Sequence, residues 1–352
     1  MKLKPLKIGE LVADIPIIQG GMGVGISLSS LAGAVAKEGA IGIISAAQPG
    51  YTDEESFGIN SLNANLKALN YHIKKAKEIS NNGIIGVNVM VASRNYNEYI
   101  QCCVESGADL IISGAGLPIE LPVLLKDTNV KFAPIISSLK AIKVLFKMWT
   151  HRYQCVSDFV VIEGPKAGGH LGFSPKELEK NDFSHYDDEI ISIINYVKSF
   201  EQTYGKKIPV IFAGGVFDRK DIDHYLSLGC DGVQMATRFV ATKECDAAEN
   251  YKMAYINAKK EDIIIVKSPV GMPARAINNH FTQLRSQEKE QVSKCYRCLR
   301  NCNPVETPYC ITSALVRAVK GDTENALVFC GENAYRLDKI TTVKEILDEL
   351  NQ

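Results

Sequence analysis

The segment Glu163-Gly164-Pro165-Lys166-Ala167-Gly168-Gly169-His170-Leu171-Gly172 sets one histidine in a glycine-rich frame. Glycines let backbone come close to a flat ring system, and an imidazole with an ordinary pKa near 6.5 can take a proton from carbon at neutral pH. His170 is the candidate general base, in what reads as a flexible loop; a surface loop with an incidental histidine is the competing reading. A second constellation joins Ala213-Gly214-Gly215 to Gln234-Met235-Ala236-Thr237 further along the chain. Two glycine amides and a threonine hydroxyl could grip a phosphate, because no side chains shield the N–H groups from the anion. A plain tight turn at Gly214-Gly215 is the alternative. The third runs from Lys294 to Cys310, where Cys295, Cys298, Cys302 and Cys310 give the spacing C-x2-C-x3-C-x7-C. Four thiolates in one compact loop could ligate tetrahedral zinc or an iron–sulfur cluster; thiols as small buried hydrophobes are the other reading. No thioredoxin-type βαβ frame surrounds Cys295 and Cys298.

Elements that could position these residues are visible as short apolar, β-branched runs alternating with segments of helical period. Eight runs stand out: 16–19, 41–45, 85–88, 110–113, 132–136, 159–163, 209–213 and 232–235. Each ends in residues suited to a functional loop, as buried parallel strands do. Helices are expected over 28–37, 64–79 and 218–228, two of them stopping before Gly39 and Gly229, and a final amphipathic helix over 343–350. Eight β/α units by residue 260 predict an α/β fold, a (β/α)8 TIM barrel over 1–262. A C-terminal segment over 263–352 then supplies a pocket cover, the cysteine loop and the last helix. On this reading His170 and the Gly214 and Thr237 loops all lie at the strand C-termini, where barrel enzymes do chemistry and commonly hold phosphate. The rival architecture is an open doubly wound sheet with a dinucleotide fingerprint at Gly20-Gly21-Met22-Gly23. Its spacing fails: counted from Gly21 the third glycine would fall at Ile26, and no acidic residue ends the next strand.

The chain has 352 residues, more than the roughly 250 of one barrel and fewer than two barrels need. Forty basic and forty acidic residues give zero formal charge, so no overall field draws it to nucleic acid or an anionic bilayer. The expected partners are a small-molecule substrate and, at most, a second copy in a homodimer, with no nucleic acid and no membrane. No leader-like apolar region follows the first lysines and no stretch is long enough to span a bilayer, so a cytoplasmic location is expected. Ten cysteines in a chain 46% hydrophobic do not require disulfides, and reduced thiols are expected.

Taken together, Pro16 to Met22, Gly86-Val87-Asn88, Glu163 to Gly172, Ala213-Gly214-Gly215 and Gly232 to Phe239 resemble the nitronate monooxygenase family, formerly the 2-nitropropane dioxygenases, and the related flavin-dependent enoyl-ACP reductases. The similarity spans about residues 10 to 280 in order. It implies FMN at the strand C-termini, with Gly21 and Met22 against the flavin and Asn88 hydrogen-bonded to the ring or ribityl chain. Gly168 and Gly169 would border the ring beside His170, while Gly214, Gly215, Gln234, Met235, Ala236 and Thr237 would hold the phosphate end. His170 would act as base on a neutral nitroalkane, and the expected activity is oxidation of nitronates and nitroalkanes with O2. The alternatives are an NAD(P)H-dependent reductase of an enoyl thioester and a non-redox phosphate-binding barrel. Gly271 to Asn278 is similar to a segment that follows the barrel in these relatives, with Arg275 read either as part of a pocket cover or as a structural ion-pair partner. The cysteine spacing departs from the core family pattern.

Overall fold

The computed structural model describes residues 2–53 and 57–352. Eight parallel strands form one ring: β1 (Ile17–Gln19), β2 (Gly42–Ser45), β3 (Ile85–Met90), β4 (Leu110–Gly114), β5 (Lys131–Ile136), β6 (Val160–Glu163), β7 (Val210–Ala213) and β8 (Gly232–Met235). Every predicted strand is present, and each pairs with its neighbour in sequence. The seam between β1 and β2 closes through a parallel bridge, Ile18 to Ile41, with Gln19 N donating to Ile41 O at 2.9 Å. One step further the buried Gln19 carboxamide takes over the ladder: it accepts from Ile43 N at 3.1 Å and donates to Ile43 O at 3.2 Å. A primary amide can imitate a peptide in this way because it carries the same donor and acceptor pair.

Side chains alternate across the ring, as the period of two requires. Ile17, Ile44, Ile111, Val160, Val210 and Phe212 face the helices, whereas Ile18, Ile43, Ile112, Val161 and Ile211 fill the interior. The interior cluster includes Leu6 and Ile8 from an antiparallel hairpin, Leu6–Ile8 with Leu11–Ala13, so the hairpin plugs one end of the barrel. Burying each of those two side chains contributes about 1.5–3 kcal/mol.

Helices sit where the periodicity places them. Ser61–Ser80 buries Leu69, Ile73 and Ala76, and Arg219–Ser227 is capped by Asp218, whose carboxylate accepts from Lys220 N and Asp221 N. Helix Ser29–Lys37 lacks a cap of its own; Asp246 supplies it, accepting from the amides of Leu28, Ser30 and Leu31 at 2.9–3.2 Å. A carboxylate there also meets the positive end of the helix dipole. The last helix, Val343–Leu350, starts from a Thr342 capping box and buries Val343, Ile346, Leu347 and Leu350 in the same core as the barrel helices. It packs on Ser29–Lys37 and its C-terminal carbonyls receive Arg219, so it closes the outer layer after β8.

The chain leaves the ring after Ala241 and returns at Thr341, where Thr242 and Thr341 form a parallel bridge. Within this excursion lie an antiparallel hairpin, Ile263–Lys267 with Pro273–Ile277, the cysteine loop, and helix Ile311–Val319. Among the described residues no helix is long and apolar enough to cross a membrane.

Candidate active site

A cavity of about 420 Å³ opens at the C-terminal ends of the strands, within the usual range for a small-molecule site. Gly21, Met22, Asn88, Gly168, Gly169, His170, Gly214, Gly215, Gln234, Met235, Ala236 and Thr237 all line it. The loops after β1, β6, β7 and β8 and the middle of β3 therefore converge on one space, although their residues are spread over more than half of the chain.

The wall near Gly214 is shaped for backbone alone. Gly214 holds φ +105° and Gly215 φ +84°, and a Cβ at Gly214 would stand 2.9 Å from Gly164 O and 3.1 Å from Ala167 N. Any side chain there would be strained in its torsion and crowded by three backbone atoms, Gly164 N among them at 3.2 Å. The buried Oε1 of Gln234 has no hydrogen-bond partner, an acceptor left unsatisfied inside the protein. Asn88 packs under Gly21 and lines the cavity.

His170 does not sit on a flexible loop. Gly169 and His170 form a short strand paired with Pro273–Ile277, Ala274 opposite His170. Leu171 N donates to Pro273 O at 2.9 Å, and Arg275 donates to the carbonyls of Pro165, at 2.9 Å, and Ala167. The expectation of a mobile frame fails because the strand partner lies about a hundred residues downstream, beyond the reach of local glycine content. Arg275, itself buried, also faces Glu332 at 3.6 Å, so it acts as a structural clamp; Val270 and Met272 of the same hairpin line the cavity instead. The imidazole Nε2 lies 2.6 Å from Ser268 Oγ, and the ring packs edge-on against Phe329. Burial pulls the His170 pKa down to about 4, which leaves the ring neutral at pH 7.

Four contributors escaped the sequence reading. Glu163, at the end of β6, lines the cavity, and burial pushes its carboxyl up to about 8, so it is largely protonated at pH 7. Its position ending a strand run was legible; its environment was not. Lys166 lies along Gly215 and brings a cation to the glycine wall. Gly331 and Asn333 arrive from the far end of the excursion: a Cβ on Gly331 would stand 2.5 Å from Thr237 Oγ1, and Asn333 Nδ2 donates to Gly215 O at 2.6 Å. Nothing in their spacing announced them.

Cys295, Cys298, Cys302 and Cys310 line a second, smaller cavity of about 50 Å³. Among the described residues no group of three or more His, Cys, Asp or Glu side chains stands in a single-ion metal-binding arrangement, and all ten cysteines are free thiols.

A closed β/α ring, plugged at one end and lined with glycine, amide and imidazole groups at the other, places the protein among the TIM-barrel enzymes. The chain belongs to the nitronate monooxygenase family, whose model matches residues 4–352, and is an oxidoreductase of that family. A probable nitronate monooxygenase of Staphylococcus aureus (strain MSSA476) is 25% identical over 371 residues, covering 97% of this chain and 96% of the relative. Among solved structures, FabK from Thermotoga maritima matches with a TM-score of 0.71 and 25% identity, over 96% of this chain and 91% of that one. Nitroalkane oxidase from Streptomyces ansochromogenes shares the fold, with a TM-score of 0.69 at 19% identity over 96% and 95% of the two chains.

Proposed function

We propose that the protein is an FMN-dependent nitronate monooxygenase that oxidises nitroalkanes and nitronates with O2. The observation that carries this reading is the convergence of a side-chain-free backbone wall and a neutral imidazole on one cavity at the strand C-termini. The residues present fit FMN. Gly214, Gly215 and Thr237 offer donors for a phosphate, with Lys166 near enough to offset its charge. Asn88, the unpartnered Gln234 Oε1 and the protonated Glu163 offer the donors and acceptors that a flavin ring and ribityl chain require. Bound there, FMN supplies a two-electron acceptor whose reactivity the surrounding groups tune.

The chain's own part in the chemistry is proton transfer. In the tautomer that donates Nε2–H to Ser268 Oγ, 2.6 Å away, His170 carries its lone pair on Nδ1, and the neutral ring can accept the α-proton of a nitroalkane. Charging a buried imidazole is costly, but the nitronate anion formed in the same step offsets that charge. The hairpin and Arg275 hold the ring in place, so little reorganisation is needed at the moment of transfer.

Turnover of a neutral nitroalkane and of its preformed nitronate by His170→Ala tests the assignment. Loss of a positioned base costs about 10²–10⁴-fold on the neutral substrate. The nitronate rate is expected to stay within a few-fold of wild type, with FMN retained. Equal retention of both rates would reject the base role. Rapid flavin bleaching by NAD(P)H without any nitronate would instead support an enoyl-thioester reductase.

A further inference from the structure

The main cavity leaves the cysteine loop unexplained, although the loop is held firmly. Ser93 and Leu299 form an antiparallel bridge, Arg94 N donates to Cys298 O and Arg300 N to Ala92 O, each at 3.0 Å. On its other side Gly58 N donates to Cys295 O at 3.0 Å and Ser61 Oγ to Tyr296 O at 2.9 Å. Cys310 is the N-cap residue of helix Ile311–Val319, so the fourth thiol is fixed by a separate element. Cys298 and Cys302 pack against the apolar cluster of Leu299, Tyr309 and Ile311, but Cys295 is exposed, so space-filling does not account for all four thiols. Four cysteines nevertheless share one small cavity, and no His, Asp or Glu lines it.

We propose that Cys295, Cys298, Cys302 and Cys310 bind an iron–sulfur cluster. Thiolate-only coordination selects soft metals and iron–sulfur clusters over hard cations. One observation favours a cluster over a lone zinc ion. The four cysteines line a shared space of about 50 Å³, several times the roughly 10–15 Å³ that a single water needs, so the space admits an occupant of several atoms. Arg94 and Arg297 line the same cavity, and their guanidinium groups offset the negative charge that four thiolates bring to a cluster. The site also adjoins the active site, because Cys298, Leu299 and Ile311 line both cavities. This inference rests on the cysteine loop alone and stands whether or not the main cavity holds FMN.

The test is to express the full chain with added iron, purify it without oxygen, and measure iron, acid-labile sulfide and zinc per chain, with an electron paramagnetic resonance spectrum after reduction. The proposal expects stoichiometric iron with equal sulfide and a cluster signal. Cys302→Ser should lose iron, sulfide and signal to background, while Cys155→Ser, remote from the loop, keeps all three. Circular dichroism and thermal melting of Cys302→Ser distinguish loss of the cluster from loss of the fold. If that variant does not fold, Cys295→Ser, at the exposed edge of the loop, serves in its place. One equivalent of zinc without sulfide would overturn the cluster assignment. Four thiols freely titratable in the native anaerobic protein, with no metal, would overturn the site altogether.

Discussion

The two ends of the barrel are made by the same eight strands and have opposite chemistry. At the closed end Leu6 and Ile8 cap the apolar barrel interior formed by Ile18, Ile43, Leu110 and Ile211. At the open end the same strands run out into Gly21, Asn88, Glu163, Gly214 and Gln234, and the wall turns to backbone, amide and carboxyl groups. The strands provide rigidity at one end and use it at the other to hold polar groups around the cavity, the Gln234 Oε1 among them without a hydrogen-bond partner. Stability and function should therefore separate along the barrel axis.

The largest expected effect is at the closed end. Leu6→Ala should cost about 2–5 kcal/mol of stability by opening a cavity in the plug, read as a shift in the urea midpoint, while FMN affinity stays at wild type. A loss of affinity in proportion to stability would break the separation. Next, Gly214→Val puts a β-branched side chain at φ +105° against Gly164 O. It should weaken FMN binding roughly a hundredfold, the equivalent of two phosphate hydrogen bonds at ~1.5 kcal/mol each; the same backbone strain also lowers the apo-protein's melting temperature, so affinity is compared at a temperature where wild type and variant are both folded.

A smaller effect sharpens the contrast through pH. Glu163 normally titrates near 4.5 and here near 8, so between those values the folded chain holds a proton that the unfolded chain has released. Stability must then fall as pH rises through that window, by up to roughly 1.4 kcal/mol per pH unit. His170 has the opposite sign: with its pKa lowered from 6.5 to about 4, stability from this group rises with pH over that lower range and is constant above it. Urea midpoints of the apo-protein between about pH 6.5 and pH 8 isolate the carboxyl. Glu163→Gln should flatten the slope there; an unchanged slope would mean that the Glu163 carboxyl is not protonated in the folded chain at neutral pH.

How much of this was legible follows the same division. The strands were readable because most of their residues are buried on both faces and written as short apolar runs, as in Leu110-Ile111-Ile112, with Asn88 in β3 and Gln234 in β8 as polar exceptions that line the cavity. The glycine loops were readable because they follow those runs directly. What escaped depends on contacts between distant positions: the Asp246 cap on Ser29–Lys37, Gly331 against Thr237, and the strand partner that immobilises His170. Gln19 is instructive, since it read as the end of a strand and in fact closes the seam with its side chain. Local pattern specifies which residues form the ring; only the folded chain shows which of them meet across it.

The proposed FMN site holds the cofactor's phosphate against the Gly214 wall. The visible absorption spectrum of the purified chain after incubation with FMN and removal of free ligand, taken beside that of Gly214→Val, tests this. One equivalent of bound flavin is expected in the wild type and none in the variant, with circular dichroism showing the variant folded at the temperature of the measurement. A wild-type protein that comes through colourless, or a variant that binds FMN equally well, would contradict the proposed site.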